Sequence, residues 1–386
     1  MARKAHRAPA GYVRKLPSGR YQASHVYLGV RYFAATTYTA KVDADAWVRT
    51  RLTDIERGQW SPAIADEVAA TKADAARTLG EYAETWLRTN TNRKGEALRT
   101  RTVEEYRRLL SGPLAELAAL PLPKITPAKV DGWYATQAGT GKMTQSSRAY
   151  SLLSTIMRHA VDRGTLTSNP CRVRGGQSAR TGRKVEPPTN AQLATILATI
   201  APGYRALVHL AAEGGLRYGE ATDLHPSDIE VERDDAGGVV RVLVHVTKAV
   251  ARTSTGYQSG PPKSEAGVRS VFVYGPGAVA IAEHLKNHVA RFGNPLLFSA
   301  ADGTTHLAQS TFTKHWYPAR AAAGRSDMPF HALRHRAGTV YVQHGATMQE
   351  AMTRLGHSST AVAMRYQHAT GRDAEIAARM AGMTPA

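Results

Sequence analysis

Five residues, Leu79, Tyr82, Ala83, Trp86 and Leu87, fall on one stripe at helical spacing. A second stripe of the same period, Ala149, Leu152, Leu153, Ile156 and Met157, closes the same region. An apolar face of period 3.6 must be buried against other helices, so residues 75–170 are expected to form a compact helical domain. Arg101–Leu110 supplies another helix. Thr126-Pro127 reads as a helix start, a threonine cap with proline in the first turn, leading into Val130, Trp133 and Tyr134. Gly164 and Asn169-Pro170 close the last helix, over Ser146–Arg163.

Upstream the pattern changes. Residues 11–40 are rich in Tyr, Val and Thr and are broken by turn residues at Pro17-Ser18-Gly19, which predicts three short strands. Lys41–Arg57 then reads as a helix with Val42, Ala46, Trp47 and Ile55 towards the sheet, and Gly58 and Pro62 end the module. Downstream, residues 171–188 are rich in Arg, Gly, Ser and Pro and read as a linker. Beyond it the chain is mainly helical, with strands near Val239–Val246 and Val268–Val273. The expected fold is multidomain and mainly α with small β elements: a sheet-plus-helix module at 1–62, a helical domain at 75–180 and a mixed, mainly-α domain at 187–386.

Charge separates these regions. The whole chain carries a formal +19. Residues 1–60 hold 11 basic and 4 acidic residues, net +7, and residues 75–186 hold 19 and 9, net +10. Residues 187–386 hold 19 and 15, net +4. An excess concentrated in the first half points to a polyanionic partner, and nucleic acid is the usual one. No run of 18 apolar residues marks a membrane span, and no apolar signal core follows the basic N-terminus. The single cysteine, Cys171, excludes an internal disulfide framework and suits the cytosol.

Breaking a DNA phosphodiester without a metal requires cations on the non-bridging oxygens, an in-line nucleophile and a proton donor for the leaving sugar oxygen. The C-terminal region holds the needed residue types in sequence. Gly214-Gly215-Leu216-Arg217-Tyr218-Gly219-Glu220 carries a glycine-flanked arginine into a helix. Pro261-Pro262-Lys263-Ser264-Glu265 precedes a strand, which is read as placing Lys263 at a hairpin turn; Lys248 competes for the same role. His331-Ala332-Leu333-Arg334-His335 opens a helix, Leu355-Gly356-His357 follows, and Tyr366 comes nine residues after His357. His331 and His335 stand four apart, as metal ligands can, but no Glu follows His331 and the zinc-protease pattern fails. No metal site and no cofactor are expected.

This ordered set resembles the tyrosine recombinase (phage integrase) family over about residues 187–375. The resemblance implies that Tyr366 attacks the scissile phosphate to form a 3′-phosphotyrosyl bond and free a 5′-hydroxyl. It implies that Arg217 and Arg334 clamp the non-bridging oxygens, that His357 hydrogen-bonds the phosphate, and that His331 assists proton transfer with the nucleophile. Lys263 would protonate the 5′ oxygen, and Glu220 would support the site. The covalent bond stores the energy, so rejoining needs no ATP.

By the same resemblance, 75–180 is similar to a SAM-like core-binding domain and 1–62 to the arm-binding domain of larger phage-type integrases, with Arg14, Lys15, Arg20 and Arg31 as DNA contacts. The implied partners are double-stranded attachment-site DNA, a homotetramer on that DNA, and accessory host DNA-bending and excision factors in the bacterial cytoplasm. Asp373–Ala381 reads as a short amphipathic helix that covers either its own domain or a neighbouring protomer. The implied activity is integration of a phage or other mobile element into a chromosome. A resolvase of the same family, a type IB topoisomerase, a metal-dependent nuclease and a non-catalytic DNA-binding protein on the same scaffold are the alternatives.

Overall fold

A computed structural model describes residues 10–92, 94–179, 186–262 and 264–357. The chain divides into two compact units between Thr181 and Gly182.

The first unit opens with an antiparallel sheet in the order β1 (Ala10–Lys15), β2 (Tyr21–Tyr27), β3 (Val30–Phe33). The helix α1 (Lys41–Glu56) packs on β1 and β2. Close approach is possible because position 11 is glycine: a Cβ there would sit 2.0 Å from Val48 Cγ1. The buried face of α1 is therefore Ala44 and Val48, with Trp47 and Leu52 packed beside them. Of the four residues expected on this face, Val42 is 64% exposed and Ala46 is also exposed, while Trp47 and Ile55 are half-buried. The stripe is rotated from its expected position because the slot over Gly11 fixes which side chain enters the sheet. His25 lies buried among Tyr32, Trp47 and Trp60, with the Trp60 ring edge-on at 4.3 Å.

Pro62, expected to end this module, instead starts α2 (Pro62–Ala76), whose Ser61 cap accepts from the Ile64 amide. This helix buries none of its side chains, so it carries no stripe from which it could be read. Next come α3 (Leu79–Thr89), α4 (Thr100–Ser111), the single-turn α5 (Ala115–Ala118), α6 (Pro127–Gly139) and α7 (Met143–Asp162). All ten residues of the two expected stripes are buried, in one cluster with Leu109, Leu117, Val130 and Trp133. Thr78 and Glu81 form a reciprocal capping box that starts α3, and Thr126 caps α6. The start of the expected linker folds back on α7: the Val173 amide donates to Tyr150 Oη at 2.8 Å.

The second unit begins with α8 (Asn190–Thr199), α9 (Arg205–Ala212) and the one-turn α10 (Tyr218–Ala221). An antiparallel sheet follows in the order β4 (Ile229–Arg233), β5 (Val239–Val246), β8 (Arg269–Tyr274), and between its last two strands lies a separate hairpin of β6 (Ala249–Thr253) and β7 (Gly256–Gly260). The helices α11 (Gly275–Asn287), α12 (Gln309–Ala322), α13 (His331–Gln343) and α14 (Met348–Leu355) complete it. The core joins α8, α9, the inner faces of β5 and β8, α11, α12 and the start of α13. No helix of the described residues is long and apolar enough to cross a membrane.

Candidate active site

The site is organised around a buried carboxylate. Arg217 is the N-cap of α10 and Glu220 stands three residues later, so the two meet on one turn. The Arg217 amide donates to Glu220 Oε2 at 2.9 Å, and its guanidinium donates to Oε1 at 2.6 Å. Glu220 is 2% exposed, and two further arginines approach it. Arg269 Nη2 donates to Oε2 at 2.9 Å, and Arg334 Nη1 lies 3.6 Å from the same oxygen. Burial alone would raise the Glu220 carboxyl; the charge of Arg269 and its hydrogen bond, then Arg334 and Arg217, outweigh that and hold it at about 2.

Helix α10 is held from outside by the hairpin. A Cβ at Gly219 would lie 2.5 Å from the Val250 carbonyl oxygen, so β6 sits directly on α10. A polar link centred on the buried Asp223 adds to this contact: Asp223 accepts from Ser259 of β7 and pairs with His306 Nε2 at 2.8 Å. No sequence motif marks this link. Its three residues are far apart in the chain.

Arg334 lies one turn into α13 and is 1% exposed. Its guanidinium donates to the carbonyls of Gly215 and Leu355. It ties the loop before Arg217 to the turn that carries His357. Of the two expected clamp residues, Arg217 is thus the accessible one, its side chain 42% exposed, and Arg334 lies beneath.

His331 opens α13 and is exposed at its surface, with its ring edge-on to His335 at 4.9 Å. Desolvation by the surrounding protein, then His335, Arg334 and Arg217, lower it to about 4. His357 follows the left-handed cap Gly356 (φ 61°). Desolvation, then Arg334, Arg217, Arg269 and His335, lower it to about 4 as well. Arg217, His331, Arg334 and His357 therefore share one electrostatic neighbourhood in which both imidazoles are neutral at neutral pH.

Two expected site residues, Lys263 and Tyr366, lie outside the described residues, as does the expected helix Asp373–Ala381. The described hairpin, β6 and β7, makes its tight turn at Ser254-Thr255. Position 263 falls between β7 and β8, and Lys248 falls between β5 and β6.

In the first unit, the face of the sheet away from α1 carries Tyr12, Arg14, Arg31 and Phe33. Arg31 stacks 4.6 Å over the Tyr12 ring, and Arg14 Nε donates to Gln22 at 2.8 Å. Lys15 lies in the alternate register, 6.0 Å from the Tyr21 ring. Arg20 is exposed but holds the Thr37 hydroxyl and carbonyl.

Residues 9–57 match the model of the phage integrase N-terminal domain, and residues 189–372 match that of the phage integrase family. The protein named prophage phiRv2 integrase, from Mycobacterium tuberculosis, is 41% identical over 97% of this chain and 96% of its own length. The chain belongs to the phage integrase family. The fold agrees. The integrase of transposon Tn1549, solved with transposon end DNA, matches 79% of this chain and 99% of its own with a TM-score of 0.64 at 18% identity. A lambda integrase tetramer on a Holliday junction matches 97% of this chain and 98% of its own with a TM-score of 0.53 at 18% identity. The family therefore has the tyrosine recombinase fold that the motifs between Arg217 and Tyr366 implied.

Proposed function

We propose that this integrase family member cuts and rejoins DNA at specific sites through Tyr366. The observation that carries the reading is the shared neighbourhood of Arg217, His331, Arg334 and His357, with Glu220 holding the two arginines. Arg217, Arg334 and His357 meet the non-bridging oxygens of the scissile phosphate and stabilise the charge that grows there. His331, neutral at neutral pH, accepts the proton as the Tyr366 oxygen attacks phosphorus. The bond from phosphorus to the 5′ oxygen breaks, and Lys263 donates a proton to that oxygen. The 3′ end is then held as a phosphotyrosyl ester, and attack by a 5′-hydroxyl of the partner strand reverses the steps. The cationic work falls to side chains, so the reaction needs neither metal nor ATP.

In this reading 1–62 binds arm-type DNA, 75–180 closes over the crossover site, and 187–386 carries out the chemistry. The active form is a tetramer on DNA, in the host cytoplasm. The match of residues 9–57 to an integrase N-terminal module favours integration over resolution. The test is a two-plasmid reaction between the DNA flanking the gene and a host attachment segment. Joined molecules from the wild type, and none from Tyr366→Phe despite intact DNA binding, are expected. Recombination only between directly repeated copies on one molecule would support a resolvase instead.

A further inference from the structure

We propose that Arg269 is a positioning residue of the phosphate clamp, joining Glu220 to the turn that carries His357. This inference rests on the proposed clamp. Strand β8 alternates inward and outward, with Arg269, Val271 and Val273 buried. An arginine thus stands where the strand pattern calls for an apolar side chain, and its side chain is 3% exposed. A buried guanidinium is costly unless its donors are taken up. Nη2 meets Glu220 Oε2 at 2.9 Å, Nε meets the Arg354 carbonyl at 2.7 Å, and Nη1 meets the Gly267 carbonyl at 3.1 Å. One planar fork therefore spans three segments: the carboxylate that holds Arg217, the end of α14, and the loop entering β8. A lysine could not span them, since its donors all sit on one nitrogen, whereas the three contacts here come from three nitrogens of the fork.

The His357 turn is packed onto the same loop. A Cβ at Gly356 would lie 2.7 Å from the Ala266 carbonyl oxygen and 3.2 Å from Arg269 Nη1. Of the two buried arginines, Arg269 is the nearer cation to Glu220 Oε2, at 2.9 Å, while Arg334 stands back at 3.6 Å. Without Arg269, that oxygen would draw Arg334 into a direct pair and away from the phosphate, and the His357 turn would lose its tie to α10.

The test compares single-turnover cleavage of two mapped crossover-site duplexes. One carries the normal phosphodiester. The other carries a methylphosphonate, in which a methyl replaces one non-bridging oxygen and the charge is gone. Each rate is taken relative to wild type on the same DNA. Arg269→Gln and Arg269→Lys are expected to slow the phosphodiester by about tenfold or more and the uncharged linkage by no more than about threefold, because the clamp acts on charge. Arg269→Lys keeps a cation beside Glu220 and guards against a fold failure. Equal slowing on both linkages, or none on the phosphodiester, would overturn the inference. Arg217→Ala is the control: if its loss is the same on both linkages, the clamp reading itself fails rather than the role of Arg269.

Discussion

Arg217 and Glu220 hold each other twice across one helical turn, amide to Oε2 at 2.9 Å and guanidinium to Oε1 at 2.6 Å. The arginine most accessible to a phosphate is thus oriented by its own helix. The carboxylate that orients it also neutralises part of the charge of Arg269 and Arg334, which are 3% and 1% exposed.

That arrangement gives Glu220 a structural role, whatever it adds to the proposed chemistry. Glu220→Gln leaves two buried guanidiniums short of their counter-charge. Breaking a buried pair from one side costs on the order of 3–5 kcal/mol, so the urea midpoint of the second unit is expected to fall sharply. Cleavage should fall with it. A variant as stable as the wild type would contradict the role given to this carboxylate.

Stability should also depend on pH in a defined window. The Glu220 carboxyl is depressed from 4.5 to about 2 in the folded chain. Its contribution is complete above pH 4.5 and is lost as pH falls towards 2. His331 and His357 are lowered from 6.5 to about 4. Between those values the unfolded chain binds more protons, so stability declines as pH drops from 6.5 to 4. Because His331 stays neutral down to about pH 4 when folded, cleavage should persist below pH 6 wherever the fold does. A single-turnover rate profile checks this, and an acid limb centred near 6.5 would argue against His331 as the base.

Gly356→Ala tests the turn before His357. The left-handed conformation costs a residue with a Cβ about 1–2 kcal/mol, and the new methyl would press on the Ala266 carbonyl. A lower melting temperature and slower cleavage are expected, with DNA affinity changed little.

The N-terminal arginines should separate into two kinds. Arg14→Ala and Arg31→Ala are expected to weaken binding to arm-type DNA, and each lost phosphate contact should reduce the salt slope by about one. Arg20→Ala should instead loosen the module, because Arg20 is committed to Thr37. Fluorescence anisotropy across a salt series, beside thermal melts, distinguishes them.

Much of this was legible in the sequence because amphipathic helices declare themselves. The stripes of α3 and α7 are buried residue for residue as their spacing requires. The helix α2 has no such signal because it buries nothing, and Pro62, expected to end the module, is its first residue. The face of α1 was misplaced because a glycine on a different strand decides it. Arg217, His331, Arg334 and His357 are candidates through motif order, and the structure brings them into one neighbourhood. Arg269 is not, since its only sequence signal is a charge at an inward strand position, visible once the register of β8 against β5 is known.

The central claim is that Tyr366 becomes covalently joined to DNA. The direct measurement is trapping: wild type and Tyr366→Phe are mixed with duplexes flanking the gene, in EDTA, and the reactions are stopped with SDS. A protease-sensitive adduct from the wild type alone is predicted, and its mapped position gives the cut. An equal adduct from Tyr366→Phe, or one that forms only when a divalent metal is restored, would contradict the account.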